Sequence, residues 1–198
     1  MKALLRKDCY VLLRQMKFLL VALLLFAVIP TLSATAFSIL YVIMLPVTTL
    51  AYDERCHWDQ LAAAMPYSIR QLVGCKYLQG YLGAACIALL SLSAQLLLGS
   101  DPADSAMTIG LFLLLALILL ALLLPVMIRL GSEKGRLIYM LAAALSAALA
   151  VGLQGIQLTP GLSQLPADRF LLLLAAAAIV LNASSFVLSV HFYQKRRG

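Results

Sequence analysis

Charged residues are scarce in this chain, which holds 15 lysines and arginines and 8 aspartates and glutamates in 198 residues. Hydrophobic residues make up 64% of it, against roughly 45–50% in soluble domains, so the composition excludes both a water-soluble fold and a disordered chain. Histidine occurs only twice, and the single pair Cys56-His57 has no second pair at ligand spacing, which argues against a zinc site. The four cysteines do not fall in any predicted external loop, so we expect no disulfide framework.

Sequence motifs for catalysis are missing as well. The chain has no HExxH pair, no paired carboxylates within an apolar run and no GxxxxGK[ST] phosphate loop. The segment GSEKGR at 131–136 contains glycine and lysine at the wrong spacing, and we interpret it as a tight turn. We therefore expect no catalytic, cofactor-binding or metal-binding residues in this chain, and no enzymatic activity.

Long uncharged runs are what the sequence does contain. A helix needs about 20 apolar residues to cross a bilayer, and the longest run, 18–52, is broken near its middle by Pro30-Thr31-Leu32-Ser33. The sequence predicts an all-α, polytopic membrane protein with one transmembrane domain over 1–198. Its six predicted membrane-spanning helices cover about 17–31, 33–52, 75–98, 106–128, 137–157 and 170–190.

Basic residues are distributed very unevenly between the connections. With the first connection placed outside, Arg169 is the only basic residue on the external side, and the other 14 of the 15 lie on the opposite side. The positive-inside rule then places both termini in the cytoplasm. The net charge of +7 therefore reflects membrane topology, and we do not expect nucleic-acid binding.

Residues 2–16 precede the first apolar run and are half polar. Leu5, Cys9, Leu12 and Met16 recur at helical spacing on one face, which predicts an interfacial elbow helix lying on the cytoplasmic leaflet. An extension of the first span is the alternative, and the charges at 6–8 make its immersion costly. The residues expected to gather at the lipid headgroups are Lys7, Arg14 and Lys17.

Polar side chains within the predicted spans are limited to amides and hydroxyls, since all eight acidic residues are expected in loops or at the interface. This argues against an ion-coupled transporter that works alone. Interhelical hydrogen bonds are the expected role of the polar residues within the spans. Those residues include Gln95, Gln154, Asn182, Ser184 and Ser185. Small residues such as Gly80 and Gly83 indicate close helix packing, either within the chain or between two copies.

The second cytoplasmic connection is the most informative segment. Trp58, Leu61 and Met65 lie three and four residues apart, which predicts one apolar stripe on a short helix that ends at Pro66. Asp53 or Asp59 could cap the start of this helix. Such a helix suits docking into a groove of a soluble partner, or else anchors the third span with Trp58 at the headgroup level.

The connection resembles that of small six-helix permeases of the type-2 ATP-binding-cassette (ABC) exporter class. Those proteins carry an acidic-aromatic helix, an "LP-S-R--IV" stretch and a "KY" pair that opens the third span. Met65 stands where leucine is commoner. The residues that carry the resemblance are Asp53-Glu54, Trp58, Met65-Pro66, Ser68, Arg70-Gln71-Leu72-Val73 and Lys76-Tyr77.

The resemblance implies a permease subunit, two copies of which form the translocation path of a bacterial plasma-membrane exporter. It implies two separate ATPase subunits that bind ATP and Mg, and a cytoplasmic coupling segment at 53–70 that docks on them. The apolar spans suit an amphipathic peptide or another hydrophobic substrate. The alternative is a non-transporting scaffold or sensor that uses the same helix. The residues expected to contact the ATPase are Asp53, Glu54, Trp58, Asp59, Leu61, Met65 and Arg70.

Overall fold

A computed structural model describes residues 2–29, 31–65, 67–99, 101–131, 137, 141 and 167–197. All regular structure in this part of the chain is helical, which confirms the all-α prediction. The predicted fifth span, at about 137–157, lies almost wholly outside the described residues. The described helices are α1 (Lys2–Gln15), α2 (Lys17–Val28), α3 (Leu32–Tyr41), α4 (Met44–Arg55), α5 (Trp58–Ala64), α6 (Ile69–Leu97), α7 (Pro102–Leu130) and α8 (Ala167–Arg197).

The described residues contain four helical stretches that are long and apolar enough to cross a membrane. They are Ala34–Arg55, Ile69–Leu97, Pro102–Leu130 and Leu171–Lys195, and the pair α1 and α2, bent by 87°, brings the number to five if it counts as one span. The helix predicted as the first span covers 12 residues, about 18 Å, and is too short to cross the roughly 30 Å hydrocarbon core alone. The prediction of six spans stays a prediction.

Proline and threonine produce the two breaks in the N-terminal half. The Oγ1 atom of Thr31 accepts a hydrogen bond from the Ala34 amide at 3.3 Å and starts α3, as the break near 30–33 predicts. Pro46 lies in the first turn of α4, where its missing N–H leaves no intrahelical bond unmade. The carbonyl of Val42 instead accepts the Leu45 amide at 2.9 Å, and the helix breaks at 42–43.

A capping box starts α6 six residues earlier than the sequence predicts. The Ser68 hydroxyl accepts from the Gln71 amide, and the Gln71 side chain accepts from the Ser68 amide, each at 3.3 Å. Met65 has the extended conformation that residues before a proline favour, so α5 ends where predicted. Helix α5 follows His57, which has a φ of +49°, and no side chain caps the start of the helix. The prediction of an aspartate cap is therefore wrong, and Asp53 lies inside α4.

Helix α7 is the centre of the bundle and packs against α3, α6 and α8. The α6–α7 contact depends on Gly80, since a Cβ atom built there would lie 2.8 Å from Cδ2 of Leu120. A Cβ atom at Gly83 would lie 3.1 Å from Leu45 and from Val42. These glycines therefore serve packing within one chain, which settles for this pair the alternative that the sequence left open.

Candidate partner interface and its charged anchor

Helix α5 projects from the end of the bundle at which α1, α4 and α6 meet. Ala62 is fully buried against the bundle, and Trp58 is half-buried. Leu61 and Met65 are 55% and 40% exposed, so two members of the predicted apolar stripe face outward. The stripe is thus divided between an anchor, Trp58, and an outward pair that is available to a partner or to lipid headgroups.

Four charged side chains form a closed ring beneath α5, which we call the charged quartet: Lys7, Asp8, Asp53 and Lys76. The ammonium of Lys7 lies 2.6 Å from Oδ1 of Asp53, and that of Lys76 lies 2.7 Å from Oδ2 of the same carboxylate. Asp8 completes the ring at 2.9 Å from Lys76 and 3.1 Å from Lys7. Its Oδ1 atom has no aligned hydrogen bond, so the Lys7–Asp8 contact is electrostatic only.

The quartet is buried. The side chains of Asp8, Lys76 and Asp53 are 2%, 9% and 10% exposed, and Lys7 is 24% exposed. Two positive and two negative charges cancel, which is the condition under which ionised groups tolerate burial. Because one member comes from α4, one from α6 and two from α1, the ring ties three helices together by charge-assisted hydrogen bonds.

Trp58 connects α5 to this ring. The Lys7 ammonium lies 4.1 Å from the centre of the indole, within cation–π distance. Trp58 and the quartet also line a small cavity of about 30 Å³ that reaches Ile128 of α7 and Tyr193 of α8. Through Lys7, Trp58 is thus connected to α1, and through Asp53 and Lys76 to α4 and α6.

The residues predicted to contact the ATPase lie in different parts of the structure. Asp53 is buried in the quartet, Glu54 is half-buried with Oε1 beside Gly131 at the end of α7, and Arg70 is exposed in the first turn of α6. The side chain of Asp59 lies outside the described residues. The structure thus brings Trp58 and Asp53 together through Lys7, and leaves Leu61, Met65 and Arg70 at the surface.

The α1 helix presents a different face from the one that hydropathy predicts. Leu4, Asp8 and Leu12 are buried, whereas Cys9 is exposed. Hydropathy alone places Asp8 at the surface because its partner, Lys76, lies far away in the sequence. Lys7, expected at the lipid headgroups, contacts Asp53 instead, whereas Arg14 and Lys17 are exposed. Asp8 and Asp53 are buried within the bundle, and their expected position in loops or at the membrane interface stays a prediction.

Sequence reasoning missed Lys76 as a functional candidate, although a signal for it was present. Lys76 lies two turns after the capped start of α6, within an apolar helix where an ammonium needs a carboxylate partner. Asp8 and Asp53 are the carboxylates that approach it.

A second polar layer joins α6 to α8. The hydroxyl of Tyr77 hydrogen-bonds Ser185 at 2.6 Å and Ser189 at 2.9 Å, and the hydroxyl of Tyr81 donates to Asn182 at 2.8 Å. On the other side of the bundle, Gln95 donates to Thr35 at 3.1 Å. The prediction of interhelical hydrogen bonds is confirmed for Gln95, Asn182 and Ser185. Ser184 bonds only its own helix, and Gln154 lies outside the described residues.

Ser185 also replaces a hydrogen bond that is missing in α7. Pro125 lies inside this helix and has no N–H for the carbonyl of Ala121. The Ser185 hydroxyl reaches across from α8 and hydrogen-bonds that carbonyl. In an apolar setting an unpaired carbonyl is costly, so this contact fixes α8 against α7 at the level of the proline.

The comparisons with known proteins agree with this architecture. The family model described as ABC-2 family transporter protein matches residues 3–194, from α1 to the last turn of α8. No curated protein and no solved structure matches the chain. The family contains membrane transport components that pair with an ABC ATPase, and the apolar helices make this chain a multi-pass membrane protein. The chain belongs to the ABC-2 transporter family and is a permease subunit of an ABC transporter.

Proposed function

We propose that this chain is the permease of an ATP-driven exporter, and that α5 is the coupling helix on which the ATPase subunit docks. One observation carries the proposal: α5 exposes Leu61 and Met65 while its own base, Trp58, lies on the charged quartet. An exposed apolar pair on a short helix suits a groove in a soluble partner. An anchored base lets the helix transmit a displacement instead of bending alone.

Transmission follows the contacts outward from α5. Movement of Trp58 displaces the Lys7 ammonium, which is bonded to Asp53, and Asp53 is bonded in turn to Lys76. A ring of short ionic contacts responds to such a movement in one of two ways: the helices that carry it move together, or the ring opens. ATP-driven movement of the partner would thereby tilt α1, α4 and α6 as a unit and alternate access to the translocation path.

The composition of the complete transporter is part of the proposal. Two copies of this permease would form the path, and two ATPase subunits would bind ATP and Mg, since this chain has no phosphate-binding loop. The basic residues support cytoplasmic termini, and a bacterial plasma membrane is the location that the family resemblance implies. The helical ends of α4 and α6 that flank α5 would then face the cytoplasm, where the ATPase lies.

An amphipathic peptide or another hydrophobic molecule is the proposed substrate class. A cavity of about 440 Å³ lies between α7 and α8, beside Pro125, Leu181 and Phe192, and its lining is mostly apolar, with two serines and Arg129. Sites for small organic ligands commonly have volumes of roughly 300–1,000 Å³ and combine apolar walls with a few hydroxyls. A small ion would find no carboxylate among the described residues that line this cavity.

The test replaces Leu61 and Met65 by glutamine, together, in the transporter reconstituted with its ATPase. Loss of stimulated ATP hydrolysis and of ATP-dependent uptake of a hydrophobic peptide into inverted vesicles is expected. Leu98→Gln is the matched control, because Leu98 is 60% exposed at the opposite end of α6. If the paired variant keeps both activities, α5 is not the coupling helix. If the outward pair binds a soluble protein without ATPase activity, the chain is a scaffold or sensor.

A further inference from the structure

A third cavity lies at the bend between α1 and α2, on the opposite side of α4 from the quartet. Its volume is about 150 Å³, and its walls include Met16, Leu19, Met44 and Val47. An apolar cavity of about this volume accommodates a ring the size of benzene. It is therefore large enough for a few carbons of an acyl chain and too small for a complete lipid.

The rim of the cavity is polar and basic. Tyr52 and Arg55, in the last turn of α4, line it together with Thr48, and no carboxylate is among the described residues that line it. Arg55 is exposed, and among the described residues it forms no ion pair. The rim therefore carries a positive charge without a partner, unlike the neutral quartet.

We propose that this cavity is a binding site for one anionic phospholipid of the adjacent leaflet. The headgroup phosphate would be held by Arg55, and the first carbons of one acyl chain would lie between Leu19 and Met44. Three observations converge on this occupant: uncompensated positive charge at the rim, apolar walls directly below it, and an 87° bend that lays α1 across the end of α2. Guanidinium groups bind phosphate through paired charge-assisted hydrogen bonds, which a neutral headgroup offers less well.

The consequence for the protein is local. At the bend, the Thr48 hydroxyl of α4 contacts the sulfur of Met16 at 3.4 Å, and the cavity lies beside this contact. A lipid in this space would fill the gap between α2 and α4 and fix the angle of α1, which carries two members of the quartet. The site needs only the membrane location of the chain and does not depend on its role as a permease.

Native mass spectrometry of the purified chain tests the site, with phosphatidylglycerol, phosphatidylcholine and free glycerol phosphate added separately. Phosphatidylglycerol is expected to bind at least about fivefold more tightly than phosphatidylcholine, and Arg55→Gln is expected to weaken it about fivefold. Arg6→Gln is the matched control: Arg6 is exposed on α1 but does not line the cavity, so its loss is expected to change the affinity less than about twofold.

A wall variant, Leu19→Phe, separates a cavity from a surface effect. It keeps every charge and is expected to reduce phosphatidylglycerol binding while thermal stability in detergent stays unchanged. Equal loss in the Arg55 and Arg6 variants would overturn the site in favour of a diffuse basic surface. Equal binding of glycerol phosphate, or unchanged binding in Leu19→Phe, would overturn the acyl-chain part. If the wall variant does not fold, Val47→Ile repeats the test with a smaller addition.

Discussion

Lys76 of α6 and Asp53 of α4 face each other across a helix interface, with Nζ 2.7 Å from Oδ2 and both side chains at most 10% exposed. Each also bonds a residue of α1, so the pair is half of a neutral ring and not an isolated ion pair. This relationship places α5 on a rigid base. The stability of the base and its role in transmission can be measured separately.

Removal of one charge from the ring is expected to be severe. Lys76→Met leaves two buried carboxylates, Asp8 and Asp53, that share the single ammonium of Lys7, and the loss of one partner of a buried ion pair typically costs about 3–5 kcal/mol. The free energy of unfolding in mild detergent measures it. Arg70→Met, an exposed arginine on the same helix, is the control and is expected to stay within about 0.5 kcal/mol of the wild type.

The ring also predicts a positive interaction energy between its members. Asp53→Asn in the Lys76→Met background removes the one excess negative charge and leaves Lys7 paired with Asp8, so the double variant is expected to be more stable than the sum of the two single losses. A double-mutant cycle gives this difference. Strictly additive losses would mean that the two side chains do not interact in the folded protein.

Trp58 is expected to matter for transmission more than for docking. Trp58→Leu keeps an apolar side chain but loses the cation–π contact with Lys7, which is worth about 0.5–2 kcal/mol. ATPase binding is expected to persist, whereas the amount of substrate moved per ATP hydrolysed falls. Trp58→Phe restores a ring and is expected to recover part of the ratio. An equal amount of substrate moved per ATP in the wild type, Trp58→Leu and Trp58→Phe would show that the contact between Trp58 and Lys7 does not transmit the movement of α5.

Ser185 and Ser184 provide a matched pair at neighbouring positions. Ser185→Ala leaves the Ala121 carbonyl unpaired above Pro125 and also removes a partner of Tyr77, so a loss of about 1–3 kcal/mol is expected. Ser184→Ala removes only a bond to its own helix and is expected to be nearly neutral. Thermal unfolding of the two variants in the same detergent compares them. Similar melting temperatures would contradict the proposed repair of the proline defect.

Two glycines are expected to respond to alanine with opposite signs. At Gly80 the added Cβ would lie 2.8 Å from the buried Leu120, and overpacking is expected to exceed the gain in helix propensity, with a net loss of about 1 kcal/mol. At Gly110 the nearest atom is 3.8 Å away, so alanine is expected to stabilise by about 0.5–1 kcal/mol. Melting temperatures that shift in the same direction would refute the close α6–α7 contact.

Local signals in the sequence predict the helices well and the charged ring poorly. The break at 30–33 and the end of α5 before Pro66 each follow from a residue type whose backbone effect is local. The start of α6 at Ile69 is also predictable from the sequence, since Ser68 and Gln71 form an S-x-x-Q capping-box pattern. The ring joins residues far apart in the chain, and hydropathy alone assigns every charge to the surface. Only the packing of α1 against α4 and α6 shows that Asp8 and Lys76 are partners.

Site-specific photocrosslinking from α5 tests the central claim most directly. A photoreactive amino acid replaces Leu61 in one protein and Leu98 in another, and both are irradiated in native membranes. The account predicts that position 61 captures a protein that binds a photoreactive ATP analogue, and that position 98, at the other end of α6, does not. Capture of lipid alone at position 61, or of the same ATP-binding protein from both positions, would contradict the assignment of α5 as the coupling helix.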